Sequence, residues 1–246
     1  MTDKVSATGE IKTCRVHDLI RDFCLREAYK YNFQEIHGYG GGLHEDSIYD
    51  LQRKRHISID FNNVVNFISS QPYGPRVCSI LCSSREETIL LPTDVSAIAD
   101  AFKLTRVLDV RSIRFTRFPF YLTQLVHFRH IALTSDFKVL LEAISKWWNI
   151  QTIVIFTSSR VLEIKADIWK MVHLRHLEKN ASIILCKARG GSNGEQIHTL
   201  FNISPQSCTN DLFERAIKLK NMGIRAQLTM LLNDMGGSTP FDNLGK

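Results

Sequence analysis

FPFYLTQLVHFRH, residues 118–130, aligns without a gap to IKADIWKMVHLRH, residues 164–176, which lies 46 positions further along the chain. The two segments share V-H-x-R-H, and their apolar residues correspond: Phe118 with Ile164, Leu122 with Ile168, Leu125 with Met171, Phe128 with Leu174. A match of this kind marks an internal repeat, and a repeat decides the architecture before any local propensity does. Taking half the interval as the period finds units that begin at Thr105, Phe128, Ile150, Leu174, Ile197 and Leu219, spaced by 23, 22, 24, 23 and 22 residues.

Within each unit the first, fourth and sixth positions are expected to be apolar. The fourth positions are Leu108, Ile131, Ile153, Leu177, Leu200 and Met222, and the sixth are Val110, Leu133, Ile155, Lys179, Asn202 and Ile224. Fifteen of the 18 sites are apolar, where a chain with 44% hydrophobic residues would place about 8 by composition alone. Period and pattern together are those of leucine-rich repeats. The expected fold is therefore α/β: a leucine-rich-repeat solenoid whose units each give one short strand and an irregular or short helical return. The strands lie about 4.8 Å apart as a parallel sheet on the concave face. His56–Ile59 and Val77–Cys82 read as earlier strands with irregular spacing. The site where such repeats carry an asparagine that bonds the turn backbone holds Ile113, Asp136, Ser158, Ser182 and Pro205, of which only Asp136, Ser158 and Ser182 have the chemistry to replace it.

The second position of the units reads Arg106, Arg129, Gln151, Arg175, His198 and Lys220, which puts a basic or titratable side chain on the outward face of five of six adjacent strands. Like charges at that spacing repel unless solvated or paired, so the ladder of Arg106, Arg129, Arg175, His198 and Lys220 is the candidate interaction surface for an acidic partner. The pairs His127/His130 and His173/His176 form H-x-x-H, but both arise at one point of the repeat and neither has the H-E-x-x-H spacing of a zinc site, so no metal site is expected. Trp147 and Trp148 are read as one core and one surface aromatic.

Composition narrows the function classes. The chain has 246 residues, 23% charged, with a net charge of +6 and a pI near 9.0. An acidic partner is permitted rather than demanded. Nucleic acid is not expected, because no RNA-binding signature accompanies the basic residues. The six cysteines, Cys14, Cys24, Cys78, Cys82, Cys186 and Cys208, contain no C-x-x-C pair and read as reduced. No run of apolar residues is long enough to span a membrane, and Met1–Lys4 lacks the features of a signal peptide, so the expected location is cytoplasmic. There is no G-x-S-x-G or H-E-x-x-H motif, and the expectation is a binding protein, not an enzyme.

The first fifty residues do not repeat. Glu10–Val16 suggests a short strand, and Asp18 reads as the N-cap of a helix over about 18–31 with Leu19, Ile20, Phe23 and Cys24 on its apolar side. Gly38-Tyr39-Gly40-Gly41-Gly42 then interrupts regular structure. Three segments result: residues 1–35, a flexible linker at 36–52, and the repeats at 53–246.

The run CRVHDLIRDFC, Cys14–Cys24, resembles the M-H-D motif region of plant nucleotide-binding (NB-ARC) leucine-rich-repeat immune receptors, and LREA (25–28), LTRVLDV (104–110) and LVHFRH (125–130) are similar to the late blight resistance subgroup of nightshade plants. The resemblance implies that residues 1–35 are the end of a winged-helix subdomain, a strand–helix remnant, and that the repeats after it are the first of a longer array. It implies a receptor in plant defence, switched by ADP and ATP, whose repeats recognise a pathogen effector or a guarded host protein and restrain their own nucleotide-binding module. Carried over by position, the nucleotide-sensing motif falls on Val16, His17 and Asp18, with Val16 where the family has methionine. The family's phosphate-binding loop is not in this chain, so no cofactor is expected to be held by it alone. A basic nucleic-acid-binding repeat protein and a truncated or decoy receptor are the alternative readings.

Overall fold

The computed structural model describes residues 2–5, 11–14, 16–30, 35–37, 50–60, 67, 71–83, 88–89, 92–187 and 194–225. β1 (Thr2–Val5) pairs antiparallel with β2 (Ile11–Cys14). The strand expected from Glu10 is β2, and its partner β1 carried no comparable signal in the sequence. α1 (Asp18–Lys30) follows. The expected linker falls mostly outside the described residues. At its edges, β3 (Glu35–His37) hydrogen-bonds β4 (His56–Asp60), with Ile36 beside Ser58, and Leu51 is buried in the core.

The remaining elements are β5 (Ser79–Ser83), β6 (Thr88–Ile89), α2 (Pro92–Ala101), β7 (Val107–Phe115), β8 (His130–Ser135), β9 (Val139–Leu140) and β10 (Thr152–Thr157). Then come β11 (Val161–Ile164), β12 (His176–Lys179), β13 (Ser182–Leu185), β14 (Thr199–Ile203), α3 (Asn210–Arg215) and β15 (Asn221–Ile224). From β3 onward all the strands described belong to one sheet, and every pairing in it is parallel. Its register follows the repeat. Val107 stands beside His130, then Thr152, His176, Thr199 and Asn221 in the successive main strands. The chain therefore advances one strand per 22–24 residues, the interval read from the sequence.

Packing explains the register. Phe128, Ile150 and Leu174, at the first position of their units, are each fully buried, as are Ile131, Ile153 and Leu177 at the fourth. Each such side chain removed from water contributes roughly 1.5–3 kcal/mol. Thr105, the one polar first position, is also fully buried, and its hydroxyl donates to the Phe102 carbonyl at 2.7 Å. The pattern fades at the last unit, where Leu219 and Met222 are only partly buried and Ile224 is exposed.

Two features were not foreseen. The returns contain a second row of short parallel strands, β9, β11 and β13, with Leu140 beside Ile164 and Ile164 beside Leu185. Most of the returns also carry 3-10 turns: Phe120–Gln124, Glu142–Lys146, Ile168–Lys170 and Pro205–Ser207. Secondly, the turn backbone is bonded two or three positions earlier than expected. Asn180 accepts from the Thr157 N–H at 2.8 Å and donates to the Thr157 carbonyl at 3.0 Å. Asn202, held at φ 60°, donates to the Lys179 carbonyl, and Thr134 to that of Arg111. Asp136 and Ser158, expected in this role, bond each other at 2.7 Å instead.

The tryptophan reading holds. Trp147 is buried, donates Nε1–H to the Leu122 carbonyl at 3.0 Å and stands edge-on to Phe128, while Trp148 is 74% exposed. Cys24, Cys78, Cys82, Cys186 and Cys208 are free thiols. Burial pushes the Cys82 thiol up to about 12 and that of Cys208 up to about 11, so both behave as small apolar groups.

Candidate recognition face

Side chains alternate across a strand, so burying the fourth and sixth positions turns the third, fifth and seventh to the opposite surface. The second position introduces each strand. Its backbone is tied to the neighbours in sequence: Arg129 N–H donates to the Arg106 carbonyl at 2.7 Å, Gln151 to Arg129, Arg175 to Gln151 and His198 to Arg175 at 2.8 Å, and Lys220 to His198 at 2.9 Å. This ladder holds the basic residues in a single file at strand spacing. Arg106, Arg129, Arg175 and Lys220 are exposed, and none of the four forms an ion pair among the described residues.

Histidine protonation is suppressed along the file. His198 is held below the usual imidazole value by desolvation and then by the positive charge of Lys220, with smaller contributions from His176, Arg175 and Lys218. Its ring lies 6.1 Å from that of His176, edge-on, and His176 Nδ1 is 3.0 Å from the Thr199 hydroxyl. His130 is also lowered, chiefly by burial. At neutral pH the charge of the file therefore comes from arginine and lysine.

Beside the file lies a cluster that the repeat alignment did not single out. Arg111 forms a forked ion pair with Asp109, Nη2 to Oδ2 at 2.7 Å and Nε to Oδ1 at 2.9 Å, and its guanidinium stands 5.9 Å from the centre of the Phe156 ring. The hydrogen bonds that Arg111 donates to Asp109 raise its pKa further. Alternation alone put these residues on the open face. Their pairing was hidden because Asp109 and Arg111 share one strand while Phe156 belongs to another unit.

Residues of the M-H-D-like run lie apart from this face in their bonding. Val16, His17 and Asp18 are exposed. The helix cap is His17 and not Asp18: the Leu19 N–H donates to His17 Nδ1 at 3.3 Å, the Arg21 N–H donates to the His17 carbonyl at 2.9 Å, and Asp18 is already inside the helix, where its charge favours the N-terminal dipole. None of the three hydrogen-bonds or pairs with the basic file among the described residues. Among those residues, too, no three His, Cys, Asp or Glu side chains gather as a metal site, and no helix is long and apolar enough to cross a membrane.

No family model matches the chain. It is 28% identical over 188 residues, 72% of its length, to a late blight resistance protein homolog of Solanum demissum. It is 25% identical over 189 residues, again 72% of the chain, to a late blight resistance protein of the same species, and 25% identical over 219 residues, 82% of the chain, to a further homolog from that plant. The chain spans 14–16% of the length of these relatives. Over most of its length the chain is similar to late blight resistance proteins, the subgroup that its motif run and repeats resemble.

Proposed function

We propose that the chain is the junction segment of a cytoplasmic plant defence receptor, in which a leucine-rich-repeat solenoid recognises and restrains other proteins by binding and not by chemistry. The observation that carries this reading is the unpaired basic file Arg106, Arg129, Arg175 and Lys220, set in register by consecutive backbone bonds. Homology to resistance proteins supports the defence role. The file's partner is an acidic face of the receptor's own nucleotide-binding module, and an effector or a guarded host protein engages the remaining face.

In the complete receptor the nucleotide is ADP or ATP. The chemistry of His17 fits a phosphate: with Nδ1 accepting from Leu19 N–H, the neutral ring carries its proton on Nε2, which is the donor a phosphate oxygen requires. Asp18, beside it, lies in the first turn of α1, where its charge favours the N-terminal dipole.

The test is a pull-down between this chain and the module encoded upstream in its receptor. Reversing three charges, Arg106→Glu, Arg129→Glu and Arg175→Glu, is expected to weaken capture at least about tenfold in low salt. Capture that is unchanged by the triple variant removes the file from the interface.

A further inference from the structure

Two positions before the first residue of each unit, the chain makes a turn. In the first unit that turn residue is Lys103, and in the five units after it Val126, Trp148, Val172, Glu195 and Ile217. The four apolar members are 41%, 74%, 65% and 67% exposed. Local looseness does not account for this, because the residue just before each of them, Leu125, Trp147, Met171 or Ala216, is buried. The tips are thus held outward by neighbours locked in the core. A single exposed apolar residue is unremarkable, but four at one position of a repeat form a ridge, interrupted at Glu195. At strand spacing the five tips span about 19 Å along one edge of the sheet.

Cations flank that edge on both sides. Two residues before the tips stand Lys146, Lys170 and Arg215, and three residues after them stand Arg129, Arg175 and Lys220. Lys170 pairs with Asp167 and Arg215 with Asp211, whereas Lys146 and Lys218 form no ion pair among the described residues. Glu195 is the one carboxylate in the line of tips.

We infer that this edge docks on a bilayer containing anionic lipid, with Trp148, Val126, Val172 and Ile217 entering the headgroup region. An amphipathic helix needs a groove to lie in, and turn tips project instead of receding. A deformable interface takes such a ridge. Indole suits the boundary between headgroups and acyl chains, and the lysines and arginines beside it meet lipid phosphates. This docking goes beyond the protein contacts proposed above and stands on different side chains for its apolar half.

Trp148 supplies its own reporter. Of the three tryptophans, Trp147 and Trp169 are 1% and 4% exposed, so a blue shift of emission and protection from acrylamide on adding vesicles report on Trp148. Vesicles of about three parts phosphatidylcholine to one part phosphatidylserine are expected to produce both changes and to sediment the chain, and phosphatidylcholine alone to do neither. The double variant Trp148→Ala/Val172→Asp, checked for an unchanged circular dichroism spectrum, is expected to need at least roughly tenfold more anionic lipid for sedimentation. Emission that anionic vesicles leave unmoved, equal retention by neutral vesicles, or a double variant that sediments like the wild type would each overturn the inference. So would a shift produced by an acidic amphipathic peptide and not by vesicles, which would make the ridge a protein-binding one.

Discussion

Lys179 occupies the sixth position of its unit, where the preceding units have Val110, Leu133 and Ile155. It is only 4% exposed, pairs in register with Ile155, and its Nζ has no hydrogen-bond partner among the described residues. Burial, and then the charge of Arg225, pull its pKa down to about 7. Between that value and the ordinary 10.5 the folded chain binds fewer protons than the unfolded chain. Stability therefore rises with pH across this window, is lost as pH falls toward 7, and is indifferent to this group below it. Replacing Lys179 with methionine removes a buried cation that nothing among the described residues pairs. The variant is expected to be more stable than the wild type at pH 7 by about 1–4 kcal/mol, with the gap shrinking at pH 9–10. Urea melts of both proteins at the two pH values measure it. A gap that grows with pH would show that the ammonium finds a partner in solution.

At the scale of elements, the returns are stitched by side chains to the turn backbone, and the stitches differ in kind. Asn180 bonds both the N–H and the carbonyl of Thr157 in the neighbouring strand. Asp136 instead meets Arg114 at 3.3 Å and Ser158, all partly open to solvent. Asn180→Ala leaves two backbone groups without partners and is expected to cost about 1–2 kcal/mol, whereas Asp136→Ala is expected to cost at most about 0.5–1 kcal/mol. Thermal melts of the two variants rank them, and the reverse order would return the stitching role to Asp136. The main strands were legible in the sequence because a parallel sheet enforces one register, so apolar side chains recur at the first, fourth and sixth positions. β9, β11 and β13 were not legible. They are two to four residues long and lie among returns of unequal length, so no fixed position reports them. The asparagine site was misplaced for a related reason: Asn180 and Asn202 fall at different positions of their units. The basic file, tied to the strand starts, was fully readable, while the Asp109–Arg111–Phe156 cluster needed contacts across units.

Across the whole molecule, each main strand touches the strand one repeat before it and the strand one repeat after it, so cohesion passes only between neighbours. A cavity made in the middle of such an array weakens two interfaces, while one made at its end weakens a single interface that is already half solvated. Ile153, in β10 between β8 and β12, is 1% exposed, whereas Leu219, just before β15, is only partly buried. Ile153→Ala is expected to cost about 2–5 kcal/mol. It should also split unfolding into two transitions, since the β4–β8 and β12–β15 halves would be coupled only through the damaged strand and the short strands of the second row. Leu219→Ala is expected to cost less than about 2 kcal/mol, to leave one transition, and to speed amide exchange in β14 and β15 alone. Calorimetry separates one transition from two, and exchange followed residue by residue locates the halves. A single sharp transition in Ile153→Ala would mean that the second row, β9, β11 and β13, carries enough cohesion to join the halves without the main strand, which would make the returns a second spine of the fold.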